Sequence, residues 1–215
     1  MTSASSGPET VGIIGAGNVG AALGRALAAA GGYDLIYGTR SAESPDDGLL
    51  DLADETGARV DLPRATAEEA TVVVLAVPGT AVVDMAGTLD PVLDGTPVVD
   101  CTNGPTPEGF RSVGEAVAAT VPEAPVAKAF NTIGANRMGT PEFDDGIASM
   151  FVCGADRAVA AATDLAEALG FDVVDAGDIT AARHLESIAG AWIGLSQTHG
   201  RDIGFRLLGT SGSRN

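Results

Sequence analysis

Residues 11–27 of this 215-residue chain read Val-Gly-Ile-Ile-Gly-Ala-Gly-Asn-Val-Gly-Ala-Ala-Leu-Gly-Arg-Ala-Leu. A strand-sized apolar run passes through three glycines spaced as GxGxxG into an Ala- and Leu-rich stretch of helical character. Each glycine has a physical role in such a turn. Gly15 permits the tight bend, Gly17 lets backbone approach a pyrophosphate, and Gly20 lets the helix pack close to the strand. The start of the helix then offers unpaired N–H groups and the positive end of its dipole to phosphate oxygens. Gly15, Ala16, Gly17, Asn18, Val19 and Gly20 are therefore the candidate phosphate turn of a dinucleotide site.

The rest of the chain repeats the strand-then-helix rhythm. Short Val- and Ile-rich runs predict strands near residues 11–14, 34–37, 59–61, 71–77, 97–101, 126–130, 149–153 and 171–175. Helices are predicted near 19–30, 47–56, 80–89, 111–120, 157–169 and 181–198. The fold class is α/β, a doubly wound parallel sheet of the Rossmann type with a small C-terminal α/β extension. The expected divisions are a disordered tail at 1–10, a nucleotide domain at 11–148, an extension at 149–208 and a disordered tail at 209–215. In the last helix Leu185, Ile188, Ala189, Trp192 and Ile193 share one face. That stripe either covers the end of the sheet or packs on a second copy of the chain, and the dimer is the favoured reading.

Charge narrows the function classes. Asp and Glu number 29 against 12 Lys and Arg, a formal charge of -17. So acidic a chain does not suit nucleic acid or an anionic membrane face. Lys128 is the only lysine and lies in no glycine loop, which excludes a P-loop NTPase. It would contact an anionic partner or snorkel at the surface. Cys101 and Cys153 form no ligand-spaced cluster, so no metal is expected. Buried thiols, and an N-terminus unlike a signal peptide, fit a reducing cytoplasm.

The end of the second strand selects the cofactor. Sites for NAD place Asp or Glu there to accept from the ribose 2′-hydroxyl. Here the chain reads Gly38-Thr39-Arg40-Ser41. A guanidinium grips a 2′-phosphate with two bonds, and Thr39 and Ser41 add hydroxyls, so NADP(H) is expected. The alternative is an Arg stacked on the adenine of an NAD site. Ala76, Val77 and Pro78 should border the nicotinamide, as should Thr102 and Asn103, unless these last two only cap a local turn. Asn131, Thr132 and Ile133 follow the sixth strand, where a reaction partner would face the nicotinamide. Asn131 and Thr132 are candidates for positioning it, and no catalytic acid, base or nucleophile is assigned. Surface or structural roles are expected for His184 and His199.

These residues resemble the NADPH-dependent reductases of the deazaflavin coenzyme F420. The likeness is carried by Gly15 to Gly20, Gly38-Thr39-Arg40, Ala76-Val77-Pro78 and Phe130-Asn131-Thr132-Ile133. It continues in Val152-Cys153-Gly154, Asp175-Ala176-Gly177 and Arg183-His184-Leu185-Glu186-Ser187. The resemblance implies a homodimer whose cleft holds the deazaflavin over the nicotinamide, next to Asn131, Thr132 and Ile133. Gly79, Asn131 and Gly134 stand where the best-known archaeal members carry Trp, His and Pro. Other acceptors, a flavin, a ferric chelate or a small carbonyl, remain alternatives, as does a non-catalytic NADP-binding sensor.

The acidic surface also suggests a salt-adapted organism, because about 1 M salt shortens the screening length to roughly 3 Å and removes self-repulsion. The thermal midpoint should climb as KCl rises from low to molar concentration; a flat curve would refute salt adaptation.

Overall fold

The computed structural model of the chain describes residues 9–40 and 42–209. Six of the apolar runs form parallel strands: β1 (Glu9–Ile14), β2 (Tyr33–Gly38), β3 (Arg59–Asp61), β4 (Val72–Leu75), β5 (Val98–Asp100) and β6 (Val126–Lys128). Their order is β3-β2-β1-β4-β5-β6, so the winding reverses between β1 and β4. That reversal opens a crevice at the carboxyl ends of the strands, where ligands of such sheets sit. A hairpin of β7 (Glu142–Phe143) and β8 (Gly146–Ile147) stands apart, turning at Asp144 and Asp145. Two more strands, β9 (Ser149–Gly154) and β10 (Asp172–Asp175), continue the main sheet beyond β6. β9 runs antiparallel to β6, with Cys153 opposite Lys128, and β10 runs parallel to β9.

All eight predicted strands are present, in one sheet. The boundary expected at residue 148 falls inside that sheet: the C-terminal extension lengthens its edge. Residues 9 and 10, expected in the tail, begin β1, and Thr71 N–H donates to the Thr10 carbonyl at 2.9 Å. The remainder of that tail and residues 210–215 lie outside the described residues. The run predicted to reach residue 130 ends at Lys128 because Phe130 adopts a φ of 59°, incompatible with a strand.

Helices cover both faces. Leu23 and Leu27 of α1 (Asn18–Ala30), Leu49 and Leu52 of α2 (Asp47–Thr56) and Leu165 of α6 (Asp156–Ala168) pack on one side. On the other lie Ala67 of α3 (Pro63–Glu69), Leu89 of α4 (Val82–Leu89) and Val117 of α5 (Val113–Thr120). β4 alternates between the two layers, Val72 and Val74 to the first, Val73 and Leu75 to the second. Burial on both faces is why its sequence is an unbroken apolar run. Side-chain caps fix two helix starts: Asp46 accepts from Leu49 N–H at 2.9 Å, and Ser112 accepts from Glu115 N–H at 3.0 Å. α3 was not expected; seven residues are too few to show a helical period, and Pro63 in its first turn was the available signal.

The last helix, α7 (Ala182–His199), buries Leu185, Ala189 and Trp192 of its predicted stripe, leaves Ile188 half-buried and exposes Ile193. After it the chain turns back as a strap. Trp192 Nε1 donates to the Ile203 carbonyl at 2.9 Å, and Ser149 N–H donates to Phe205 O at 2.8 Å. Among the described residues no helix is long and apolar enough to cross a membrane.

Cys101 and Cys153 are both buried. Burial pushes both thiols up, Cys153 to about 11 and Cys101 further. Because the thiolate is the reactive form, neither should react with a thiol reagent at pH 8 until the chain unfolds. Rapid labelling of folded protein, read by mass, would contradict this packing.

Candidate functional site

The glycine turn sits at the carboxyl end of β1. Gly15 has a φ of 104°, and its N–H donates to the Gly38 carbonyl at 2.9 Å, joining the turn to the end of β2. A Cβ at Gly15 would lie 2.8 Å from Ala76 O, and one at Gly20 would lie 1.9 Å from Gly15 O. The backbone itself therefore requires both glycines. At Gly17 a Cβ would meet nothing within 4 Å, so the open side of the turn faces a cleft, not protein. Gly17 caps α1 without a side-chain hydrogen bond, and the first turn of the helix carries no acid. Its leading N–H groups are thus available to an anion, as a pyrophosphate requires. Val19 and Ala16, half-buried, complete the turn.

Two hollows of about 460 Å³ each flank Ala16 and Gly17. Thr39, Asp46, Gly48 and Leu49 line one of them, below the end of β2. Thr39 is half-buried, with its N–H donating to Asp61 O at 2.9 Å. Arg40 is exposed and forms no ion pair among the described residues, notable in so acidic a chain; Ser41 lies outside them. Asn18, Ala21, Arg25, Ala135 and Arg201 line the second hollow. Sequence reasoning missed both arginines. Arg25 lies two helical turns beyond Asn18 on the same face, a spacing that offered a signal, whereas the strap that delivers Arg201 has no periodic pattern.

The carboxyl ends of β4, β5 and β6 build the opposite wall. Val77 is half-buried and Pro78 exposed, next to Ala76, whose N–H donates to Ile14 O at 2.9 Å. Thr102 has turned inward: its N–H and hydroxyl both donate to Asp100 Oδ1, at 2.9 and 2.7 Å. The local cap, and not a side chain free for the nicotinamide, is what the structure shows there. Asn103 and Asn131 form a reciprocal pair. Asn103 Nδ2 donates to Asn131 O at 2.9 Å, and Asn131 Nδ2 donates to Asn103 Oδ1 at 3.1 Å. Phe130, the only described non-glycine residue with positive φ, turns the chain into that pair, and its N–H donates to Met150 Sδ at 3.1 Å. Strain of this kind persists where surrounding structure enforces it. Asn131 Oδ1 and Thr132 Oγ1 are buried with no partner, on residues only 5 % and 2 % exposed. Ile133 is buried beside them.

Packing also explains two glycines of this wall. A Cβ at Gly79 would lie 2.3 Å from Asn103 O, and one at Gly134 would lie 2.7 Å from the Trp192 ring. A larger residue at either position needs a different neighbour.

Lys128 corrects both expectations made for it. It is fully buried, with Nζ 2.9 Å from Asp100 Oδ2, 3.1 Å from Glu186 Oε1 and 2.5 Å from Thr102 O. Burial alone would favour the neutral amine, but the Asp100 and Glu186 carboxylates outweigh it and hold the ammonium above its ordinary value. Glu186 also accepts from the N–H groups of Val113 and Gly114, at 3.1 Å each. His184 and His199 are exposed on α7, and His184 Nε2 accepts from Arg183 Nε at 3.2 Å. Among the described residues no group of three or more His, Cys, Asp or Glu could hold a metal ion.

The glycine turn and the sheet order together describe a dinucleotide site, and known proteins narrow it. The family model described as NADP oxidoreductase, coenzyme F420-dependent, matches residues 10–104. A protein of Arthrobacter sp. FB24 provisionally assigned as an F420-dependent NADP-reductase is 30 % identical, over 93 % of this chain and 99 % of its own, with a TM-score of 0.83. The chain belongs to the coenzyme F420-dependent NADP oxidoreductase family. The hypothetical protein SMa0349 of Sinorhizobium meliloti is 31 % identical over 81 % of this chain and 87 % of its own, with a TM-score of 0.68. An imine reductase of Streptomyces aurantiacus, 18 % identical over 88 % of this chain and 63 % of its own, TM-score 0.66, shares the fold. As a member of this family the chain is an NADP-dependent oxidoreductase.

Gly17 and Gly20 separate binding from folding. Gly20→Ala should destabilise the chain by about 3 kcal/mol or more, since the clash is with backbone. Gly17→Ala should leave the denaturation midpoint almost unchanged and weaken NADPH. Equal midpoints for the two variants would contradict the geometry of the turn.

Proposed function

We propose that this chain transfers a hydride directly between NADPH and a deazaflavin of the coenzyme F420 type, held face to face, with no metal and no covalent intermediate. One observation carries the reading: of six buried side-chain polar atoms without partners among the described residues, two, Asn131 Oδ1 and Thr132 Oγ1, are neighbours at the strand ends of a dinucleotide fold. An unpaired buried polar atom costs about 1–3 kcal/mol, a cost that a ring edge would remove once the wall opens to admit it. Asn131 Oδ1 accepts from a ring N–H, and the Thr132 hydroxyl donates to a ring carbonyl. The imide edge of a deazaflavin carries both groups, whereas a small carbonyl compound carries no such N–H.

The other roles follow the fold. Gly15, Gly17 and the first N–H groups of α1 hold the pyrophosphate, and Thr39 with Arg40 grips the 2′-phosphate. Ala76, Val77 and Pro78 border the nicotinamide, and Ile133 packs beside the acceptor ring. Arg25 and Arg201 offset phosphate charge at the cleft mouth. When bound, NADPH supplies the hydride, which the deazaflavin takes up with one proton from water. The residues of the chain contribute position and exclusion of water, which suffice when two rings meet at near-attack distance. α7 leaves Ile193 and Leu195 over 40 % exposed on the two flanks of its buried stripe, and the helix is proposed to pack on a second copy, giving twice the chain mass in sedimentation.

The deciding experiment mixes NADPH with coenzyme F420 in high KCl and follows bleaching of the deazaflavin band, with NADH as control. Bleaching with NADPH supports the proposal. NADPH binding without bleaching would refute it, and turn the search to flavins, ferric chelates, small carbonyls or a sensor role. Arg40→Ala should weaken NADPH by roughly 1.5–3 kcal/mol, the worth of a charge-assisted bond, and barely alter NADH. Equal losses would show that Arg40 does not read the 2′-phosphate.

A further inference from the structure

We infer that Glu186 and Lys128 are positioning residues for the acceptor-facing wall: the Lys128 ammonium, anchored on α7 by Glu186, sets the Asn103–Asn131 pair. The inference rests on the proposed function for the identity of the ligand, though not for the geometry. The three ammonium protons reach the end of β5 and α7, through the Asp100 carboxylate, the Thr102 carbonyl just after β5 and the Glu186 carboxylate. Asp100 uses its second oxygen to hold Thr102 N–H and hydroxyl, so the residue before Asn103 is fixed from both sides. Asn103 in turn holds Asn131, and its carbonyl lies against Gly79.

The chain uses arginine for every other cation, and its single lysine is the fully buried one. A compact ammonium meets three acceptors converging on a point, which a planar guanidinium does not. Two carboxylates face this one ammonium. The excess negative charge is met by the Val113 and Gly114 N–H groups at the start of α5, where the helix dipole favours an anion. The arrangement is therefore satisfied without solvent, and it links α7 to the polar strand ends instead of the apolar layers.

The test is Glu186→Gln, which keeps an acceptor for the α5 N–H groups and removes the charge opposite Lys128. Amide hydrogen exchange should rise at residues 102–104 and 131–132 and stay unchanged at residues 15–20. The dissociation constant for NADPH should hold, while the KM for F420 rises about tenfold, the worth of one charge-assisted bond. Leu165→Ala, a core truncation in α6, serves as the destabilised control and should leave that KM unchanged. Exchange rising evenly along the chain, or a KM shift shared with Leu165→Ala, would overturn the proposal by reducing Glu186 to a stabilising residue. Should the variant not fold, the wild-type chain decides, because Lys128 is its only ε-amine and trace acylation there reports the opening of the cluster. Labelling in step with exchange at 102–104 supports the inference; exchange at 102–104 well ahead of labelling overturns it. If wild-type protein neither binds NADPH nor bleaches F420, the proposed function fails, and the exchange pattern still decides the role of Glu186.

Discussion

One ammonium group holds together segments that the chain's connectivity leaves far apart. Lys128 closes β6, Asp100 closes β5, and Glu186 belongs to the last helix, yet all three meet with no solvent between them. Removing one partner of a buried ion pair costs about 3–5 kcal/mol, because the remaining charge stays in low dielectric. Swapping the whole cluster for apolar residues could be nearly neutral for stability by the same reasoning. The cluster is therefore a device for specifying position more than a source of folding energy. What it specifies is the loop after β5, and through Asn103 the turn after β6.

Most of the fold was legible because the sheet is buried on both faces. A strand such as Val72-Val73-Val74-Leu75 can be read from apolarity alone, and the glycine turn fixes where the first helix begins. The unread elements are those without a period. α3 is seven residues long, the β7–β8 hairpin has two residues a strand, and the strap after α7 is held by single hydrogen bonds. Turn chemistry gave a faint signal for the hairpin, where Asp144-Asp145-Gly146 separates Phe143 from Ile147.

The site divides in the same way. Its nucleotide half depends on local backbone geometry, and local geometry leaves a sequence signature: glycines at 15, 17 and 20, and a cation after β2. Its proposed acceptor half depends on contacts between distant residues. Nothing near Lys128 in sequence announces Asp100 or Glu186, so a lone lysine read as a surface or ligand-binding group proves to be internal. The same holds for Thr102, whose hydroxyl Asp100 claims, and for Asn131, whose amide is shared with Asn103.

The distribution of charge completes the argument. A chain of formal charge -17 repels an anionic dinucleotide at long range. Local cations must offset that field where phosphates arrive; Arg25 and Arg201 line one hollow at the glycine turn, and Arg40 follows Thr39, which lines the other. Arg25 is already paired with Glu55 at 2.7 Å, so in the proposed site Arg40 and Arg201 carry most of the offset. Salt weakens both the general repulsion and these local attractions, but repulsion summed over a whole surface is screened first, since most of its charges lie more than a Debye length away. High ionic strength thus leaves short contacts at the cleft largely intact while removing the barrier around them. An acidic exterior with few, well-placed arginines is then compatible with phosphate recognition, and the buried lysine is left to its internal task.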